Sequence, residues 1–110
     1  NLAANAKYEP HTPGGCTECK GAFTIQGEEI SRNVSYYIIG HISKFVPAGS
    51  KRIESSSSND LIKTNSFITP NGKKVTIVLN AGALNNISLK NKQQNYSITL
   101  PAGSVSTIVW

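Results

Sequence analysis

Apolar side chains recur at helical spacing in the first half of the chain. The residues concerned are Val34, Ile38, Ile42 and Phe45. Asn33 precedes them and is a favourable N-cap, because its side-chain oxygen can accept a hydrogen bond from a free N–H of the first turn. Pro47 cannot continue a helix and disfavours helical geometry at Val46. The pattern therefore predicts one helix that begins after Asn33 and ends at Val46.

The predicted helix is apolar around much of its circumference. Tyr36, Tyr37 and Ile39 widen the apolar face beyond a narrow stripe. A helix of this kind is usually buried on two sides, so we expect its side chains to pack in a core against a partner surface. His41 lies in the same helix, and we expect it to be a packed, hydrogen-bonded histidine and not a catalytic residue.

The period of the pattern changes to two after the helix. Lys73–Asn80 alternates, with Val75, Ile77 and Leu79 on one face. Pro70-Asn71-Gly72 is a strong hairpin signal, because Asn-Gly suits a turn that needs positive φ. Other short strands are predicted at 51–55, 61–68, 87–89, 96–100 and 105–110. Short strands separated by turn residues favour an antiparallel sandwich or an open barrel.

The residues before the helix form a different kind of unit. Strands are predicted at 1–5 and 22–26, with a loop rich in Pro and Gly between them. We therefore predict a mainly β protein in two parts: residues 1–46, a βα unit, and residues 47–110, an antiparallel β-sandwich. A lone βα unit cannot form a parallel sheet by itself. We accordingly expect the chain to be a segment of a larger protein.

Composition and charge exclude several classes of function. The 110 residues include 11 basic and 6 acidic ones, a formal net charge of +5. The basic residues are scattered and no aromatic residues alternate with them, so we expect no nucleic-acid partner. No apolar run approaches the length of a membrane span. We expect no cofactor, and targeting cannot be read directly from a chain that does not begin with Met.

Cys16 and Cys19 form the single Cys-x-x-Cys motif of the chain. A zinc site would also need His11 and His41 to converge, which nothing in the sequence supports, so no metal is expected. A redox motif would open a helix, whereas this one lies in a Gly-rich loop. A local disulfide is favoured, and two free thiols are the alternative. A disulfide would fit an exported protein, periplasmic or extracellular.

Several segments carry a family resemblance. They are YYIIGHISKFVPAGSKRI at 36–53, NLAAN at 1–5, GGCTECKGA at 14–22, VTIVLN at 75–80 and LPAGSVST at 100–107. Together they resemble the late part of glycoside hydrolase family 30, which includes glucosylceramidases and β-1,6-glucanases. The helix motif is specific, and the strand motifs alone are weak. The resemblance covers nearly the whole chain and implies the tail of an eight-fold βα barrel fused to a β-sandwich.

The resemblance also implies a reaction. Enzymes of this family retain anomeric configuration and use two glutamates, one as acid/base and one as nucleophile. No residue of this chain matches either position, so we assign no catalytic residue here. A β-glucoside or glucosylceramide-type substrate would bind to the missing barrel. The loop after the last barrel strand lies at the face where barrel active sites form. We therefore expect His11, Gly14 and Gly15 to shape one wall of the sugar cleft, although a merely solvated loop is the alternative.

Three other interpretations stay open at the level of the sequence. The parent enzyme could be an endo-β-1,6-glucanase of the same family. The chain could instead be a stand-alone carbohydrate-binding β-module, which would display planar aromatic rings for sugar stacking. Tyr96 and Trp110 could be neighbours on adjacent strands, but they are more simply core or sheet-face residues. Finally, unpaired strand edges could assemble the fragment into a dimer.

Overall fold

The computed structural model describes residues 1–110, which divide into two units, Asn1–Gly40 and His41–Trp110. The elements in chain order are β1 Ala3–Ala4, β2 Phe23–Gln26, β3 Glu29–Arg32, α1 Val34–Ser43, β4 Lys51–Ile53, β5 Ile62–Ile68, β6 Lys74–Asn80, β7 Asn85–Lys90, β8 Asn95–Leu100 and β9 Ser104–Val109. The predicted mainly β fold with one helix is confirmed. No helix in the structure has the length and apolar character needed to span a bilayer.

The first unit contains a small three-stranded sheet. Strand β1 pairs with β2 in parallel, and β2 pairs with β3 in antiparallel. Strand β3 is not among the strands predicted from the sequence. The structure instead closes a two-residue hairpin at Gly27 and Glu28, in which Gly27 has φ +60°. Glycine at the first turn position suits this tight hairpin, which adds a strand before the helix begins.

Helix α1 begins where the sequence predicted, but Asn33 does not cap it with its side chain. The Asn33 amide donates to the carbonyl of Gly21 at 2.9 Å and to the hydroxyl of Thr24 at 3.0 Å. Its side-chain oxygen accepts from the Thr24 hydroxyl at 3.3 Å and from no N–H of the first turn, so the predicted side-chain cap is wrong. The helix ends at Ser43, three residues before the predicted end, although the Val46 N–H still donates to Ile42.

None of the residues of α1 is buried. The side chain of Val34 is 77% exposed and that of Ile42 is 53% exposed, and Tyr37, Ile38 and Ile39 are exposed as well. The expectation that the helix is buried on two sides is therefore wrong for these 110 residues. The apolar face that the sequence predicted is present, but the described chain does not cover it.

The second unit is a β-sandwich. One sheet has the strand order β4-β5-β6-β9, and the other is the β7-β8 hairpin. Ile62, Val78 and Leu100 form the buried core. The half-buried residues packed against it are Ile87, Ile98 and Ile108. All neighbouring strands in both sheets are antiparallel, as predicted.

The alternation along β6 separates the two faces of the larger sheet. Thr76, Val78 and Asn80 share one face and are almost fully buried, whereas the other face runs from the buried Val75 to Leu79, which is 40% exposed. The buried face carries hydroxyl and amide groups beside its apolar core. This mixed character explains why the sequence pattern alone did not identify which face points inward.

The predicted hairpin between β5 and β6 is confirmed in position. The Gly72 N–H donates to the Thr69 carbonyl at 2.9 Å, and the Thr69 N–H donates to the Lys73 carbonyl at 2.8 Å. Gly72 has φ +81°, while Asn71 stays at negative φ. The loop is therefore a turn followed by a left-handed glycine, and glycine adopts that conformation without the steric penalty of a Cβ.

Candidate functional site

The loop between β1 and β2 encloses a cavity of about 340 Å³, which we name the loop cavity. Its lining residues are Asn1, Tyr8, Pro10, His11, Thr12, Gly15, Cys16, Cys19 and Lys20. Of the residues expected to shape a sugar cleft, His11 and Gly15 contribute to this lining and Gly14 does not. All three are exposed. A role in substrate binding stays a prediction for each of them.

Asn5 organises the beginning of the loop directly after β1. Its side-chain oxygen accepts hydrogen bonds from the backbone N–H groups of Lys7 at 2.8 Å and Glu9 at 2.9 Å. Its amide donates to the Glu9 carboxylate at 2.8 Å. Asparagine side chains stabilise turns in this way by replacing backbone partners. The loop therefore leaves the strand in one defined direction, which places Tyr8 in the cavity wall.

The two glycines act through the backbone. Gly14 has φ +77°, a conformation that side-chain-bearing residues rarely adopt. The Gly15 N–H donates to the Thr12 carbonyl at 2.9 Å, and a Cβ on Gly15 would lie 3.0 Å from that oxygen. Gly14 therefore turns the loop, and Gly15 lets it close on Thr12.

Tyr8 and Lys20 belong to the loop cavity but were not identified from the sequence. Tyr8 has φ +65°, the one non-glycine residue of the chain at positive φ. The Lys20 ammonium lies 5.9 Å from the centroid of the Tyr8 ring. Backbone strain at a non-glycine residue tends to occur at functional sites. No sequence signal marks it, since the conformation is imposed by the fold of the loop.

Cys16 and Cys19 are joined by a disulfide bond in the structure, with their Cα atoms 5.5 Å apart. Both line the loop cavity, so the bridge forms part of its wall. No group of three or more His, Cys, Asp or Glu side chains is arranged to hold a metal ion. The oxidation state of the two thiols in solution stays a prediction.

The chemistry of the loop cavity is that of a binding surface. Its lining includes a phenol, an imidazole, a hydroxyl and an ammonium group, but no carboxylate. Hydrolysis of a glycosidic bond by a retaining enzyme needs two carboxyl groups about 5 Å apart. The cavity can therefore contact a polar ligand, but it lacks the two acids that this chemistry requires.

His41 does not belong to this cavity. Its side chain is half-buried, and its Nδ1 lies 2.7 Å from the hydroxyl oxygen of Thr107 on β9. The prediction of a hydrogen-bonded histidine is confirmed.

Tyr96 and Trp110 are neighbours, as the sequence allowed, but they do not lie on adjacent strands. Their ring centroids are 5.7 Å apart, and the ring planes meet at 80°. Tyr96 lies on β8 in the two-stranded sheet, whereas Trp110 follows β9 in the four-stranded sheet. The rings therefore meet across the sandwich and not between adjacent strands. The indole N–H of Trp110 donates to Thr76 at 3.1 Å.

Comparison with known proteins identifies relatives of the chain. The family described as "Glycosyl hydrolase family 30 beta sandwich domain" matches residues 49–108. The chain is 29% identical to an endo-1,6-beta-D-glucanase from Aspergillus fumigatus, over 98% of this chain and 24% of that protein. It is 28% identical to the lysosomal acid glucosylceramidase of Mus musculus, over 100% of this chain and 22% of that protein.

Solved structures agree with the sequence comparison. An endo-β1,6-glucanase superposes on the whole chain with a TM-score of 0.85 and 29% identity. SrfJ from Salmonella typhimurium superposes with a TM-score of 0.89 and 28% identity, again over the whole chain. The chain spans about a quarter of the length of each of these proteins. The matched family segment lies within the second unit, His41–Trp110.

Proposed function

The chain belongs to glycosyl hydrolase family 30, and we propose that it forms the carboxyl-terminal part of a retaining β-glycosidase that hydrolyses β-glucosidic bonds. The observation that carries this proposal is the match of residues 49–108 to the β-sandwich domain of that family. Relatives named as glucanases and glucosylceramidases support the reaction class.

The sandwich in this proposal is an accessory region that supports a catalytic barrel. Both working carboxylates would come from parts of the protein outside these residues. The absence of any carboxylate from the loop cavity is consistent with that division. We therefore expect the 110-residue chain to be inactive by itself. Hydrolysis of a β-glucoside by the purified chain, abolished by replacing one of its own acidic residues, would overturn the proposal.

We further propose that the loop cavity forms one wall of the sugar cleft. His11, Tyr8 and Lys20 supply an imidazole, an aromatic ring and a cation on one surface. Aromatic faces and polar side chains are the groups that commonly orient sugars. The conformation of the loop is held by Asn5 and by the two glycines, so the cavity wall needs little rearrangement on binding.

Two substrates are compatible with this proposal. A glucosylceramide-type substrate follows the name of the mouse relative, and a β-1,6-glucan follows the name of the fungal one. The chain is 28% identical to the mouse relative and 29% identical to the fungal one, so sequence identity does not favour either substrate. Assays of the intact protein on glucosylceramide and on a soluble β-1,6-glucan would decide between the two by the ratio of the kcat/KM values.

The test of the loop uses His11→Ala in the intact protein. We expect kcat/KM on the preferred β-glucoside to fall about tenfold, which is the effect of losing one well-placed polar contact of about 1.4 kcal/mol. Thr17→Ala is the matched control, because Thr17 lies in the same exposed loop without lining the cavity. Unchanged kinetics for His11→Ala would remove this residue from the sugar cleft.

Two properties of the protein follow as proposals. The disulfide between Cys16 and Cys19 supports an exported location, because disulfides persist in oxidising compartments.

Strands β4 and β9 form the outer edges of the larger sheet, which could pair with a second copy of the isolated chain. Light scattering at increasing protein concentration would test this: a mass that stays monomeric would exclude the edge dimer.

A further inference from the structure

A second cavity, of about 400 Å³, opens between the two sheets of the sandwich, and we name it the tryptophan cavity. Trp110 is its one aromatic lining residue. The polypeptide after β4 borders it on one side, and β7 borders it on the other. Cavities of this volume are within the range that holds small polar or drug-sized ligands.

Hydroxyl groups dominate the lining. They belong to Ser55, Ser56, Thr64, Ser66, Thr76 and Ser88. Thr64 donates to Ser55 at 3.1 Å, and the buried Ser66 and Thr76 hydroxyls bond to each other at 3.0 Å. The hydroxyls of Ser55, Ser56 and Ser88 can still donate to a ligand, as the hydroxyl groups of a sugar do. The charged lining residues are Glu54, Lys74 and Lys90. These charges are of both signs and largely cancel, so the hydroxyl groups are the main feature of the lining that a ligand would meet.

The aromatic end of the cavity is rigid. Trp110 donates its indole N–H to Thr76, whose hydroxyl is also 3.0 Å from that of Ser66. The Lys74 ammonium lies 5.0 Å from the centroid of the Trp110 ring. Tyr96 stands against Trp110 edge to face and is 43% exposed. Lys74 and Tyr96 therefore both pack on Trp110, and the exposed Tyr96 ring adds apolar surface beside the cavity for the C–H groups of a sugar ring.

Amide groups stand beside these rings. The Gln94 side chain donates to the Tyr96 hydroxyl at 3.3 Å and accepts from Asn91 at 3.0 Å. The Lys74 ammonium is 3.5 Å from the Gln94 side-chain oxygen. Both Gln94 and Tyr96 are exposed. The network therefore positions donors and acceptors at the edge of the aromatic pair, where a ligand can reach them.

The cavity continues along β7. A neighbouring cavity of about 420 Å³ shares Ser56, Thr64, Ser88, Leu89 and Lys90 with it. The additional polar lining comes from the 57–59 segment and from Asn85 and Asn86. The two cavities therefore share a boundary along β7, and hydroxyl and amide groups contribute to the lining of both.

We propose that the tryptophan cavity is a second saccharide site, which binds a neutral oligosaccharide through the Trp110–Tyr96 pair, Gln94 and the hydroxyl lining. This inference goes beyond the proposed hydrolytic function, because none of its residues lines the loop cavity. A site of this kind would hold a polysaccharide substrate on the sandwich while another part of the same polysaccharide is hydrolysed.

The sole tryptophan of the chain gives a site-specific test. Gentiotetraose, a β-1,6-linked gluco-oligosaccharide, is titrated into the 110-residue chain while the emission of Trp110 is followed. We expect a saturable blue shift with a Kd near 1 mM. Tyr96→Ala and Gln94→Ala should each raise the Kd about fivefold to tenfold. Tyr37→Ala removes an exposed tyrosine from α1, and it should leave the Kd unchanged.

His11→Ala separates this inference from the role proposed for the loop cavity. If the new site is correct, His11→Ala leaves the Trp110 titration unchanged, whatever it does to the kinetics of the intact protein. No saturable change in Trp110 emission up to about 10 mM would overturn the proposal. An emission change that Gln94→Ala and Tyr96→Ala both leave unaltered would also overturn it. Both replaced side chains are exposed, so the two variants should fold.

Discussion

The imidazole of His41 and the hydroxyl of Thr107 lie 2.7 Å apart, and they join the last turn of α1 to β9 across 66 positions of sequence. Few side-chain hydrogen bonds in this unit span so much of the chain. The bond therefore gives His41 a structural role, as expected for a histidine without catalytic partners.

We expect His41→Ala to lower the free energy of unfolding by about 1 kcal/mol, as does the loss of one typical hydrogen bond. Thr107→Val should have a similar effect, since it removes the same bond. In a double-mutant cycle monitored by urea denaturation, the two losses should be less than additive. Thr107→Ser keeps the hydroxyl and serves as the control. Additive losses would show that the two side chains do not stabilise each other.

The side-chain amide of Asn80 is buried in the sandwich, and both its nitrogen and its oxygen have hydrogen-bond partners. It is 1% exposed, and its amide donates to the carbonyls of Ala83 at 2.7 Å and Pro101 at 2.8 Å. Its oxygen accepts from the Gly82 N–H at 3.0 Å. One side chain thus holds the β6–β7 loop and the β8–β9 turn together.

Asn80→Ala should lower the free energy of unfolding by about 3 kcal/mol, because it leaves buried backbone groups without partners. Urea denaturation followed by circular dichroism would measure the loss. Asn65→Ala is the matched control, because Asn65 is exposed on β5, and its replacement should change stability by less than about 0.5 kcal/mol. Equal effects of the two substitutions would contradict the structural role of Asn80.

Gly40 occupies the interior of α1 with open space around it. A Cβ built on Gly40 has no heavy atom within 4 Å. Gly40→Ala should therefore stabilise the 110-residue chain by about 1 kcal/mol through helix propensity. Gly72→Ala, at φ +81°, should instead destabilise it. Thermal unfolding would compare the two, and destabilisation by Gly40→Ala would show that a neighbour approaches this position.

The bridge between Cys16 and Cys19 predicts the absence of free thiols. The chain, purified without reductant and unfolded in guanidinium chloride, should give no reaction with a thiol reagent. After reduction, it should show both thiols. Cys16→Ser under the same conditions should expose the thiol of Cys19 and serves as the positive control. Two reactive thiols in the unreduced chain would show that the loop is not bridged.

The strands and turns of the sandwich were accessible from local patterns. Alternation identified Lys74–Asn80 within one residue at its start, and Gly72 and Gly103 both adopt the positive φ that their turns require. Such features depend on neighbours within a few residues, so a single sequence contains the information. Strand β3 was missed because Glu29–Arg32 is short and has one apolar residue, so it shows no alternation of apolar and polar positions.

Position and resemblance predicted His11, Gly14 and Gly15 as one wall of a sugar cleft, and that role stays a prediction. His11 and Gly15 line the cavity, whereas Tyr8 enters it through a backbone conformation that no local pattern specifies. The partners of Asn33 were equally inaccessible, because the Thr24 hydroxyl donates to the side-chain oxygen that a first-turn N–H would otherwise use. Long-range contacts of this kind are decided when segments pack together.

The sequence by itself determined the helix, the strands of the sandwich, the β5–β6 turn and the family, because these depend on periodicity, on glycine and proline chemistry and on contiguous motifs. Only the tertiary structure decided that α1 has no buried residue and that Tyr96 meets Trp110 across two sheets. It also decided that hydroxyl groups line the space between the sheets. The physical reason is that burial and side-chain contacts depend on which segments, distant in sequence, pack against each other. Local sequence patterns do not specify that packing.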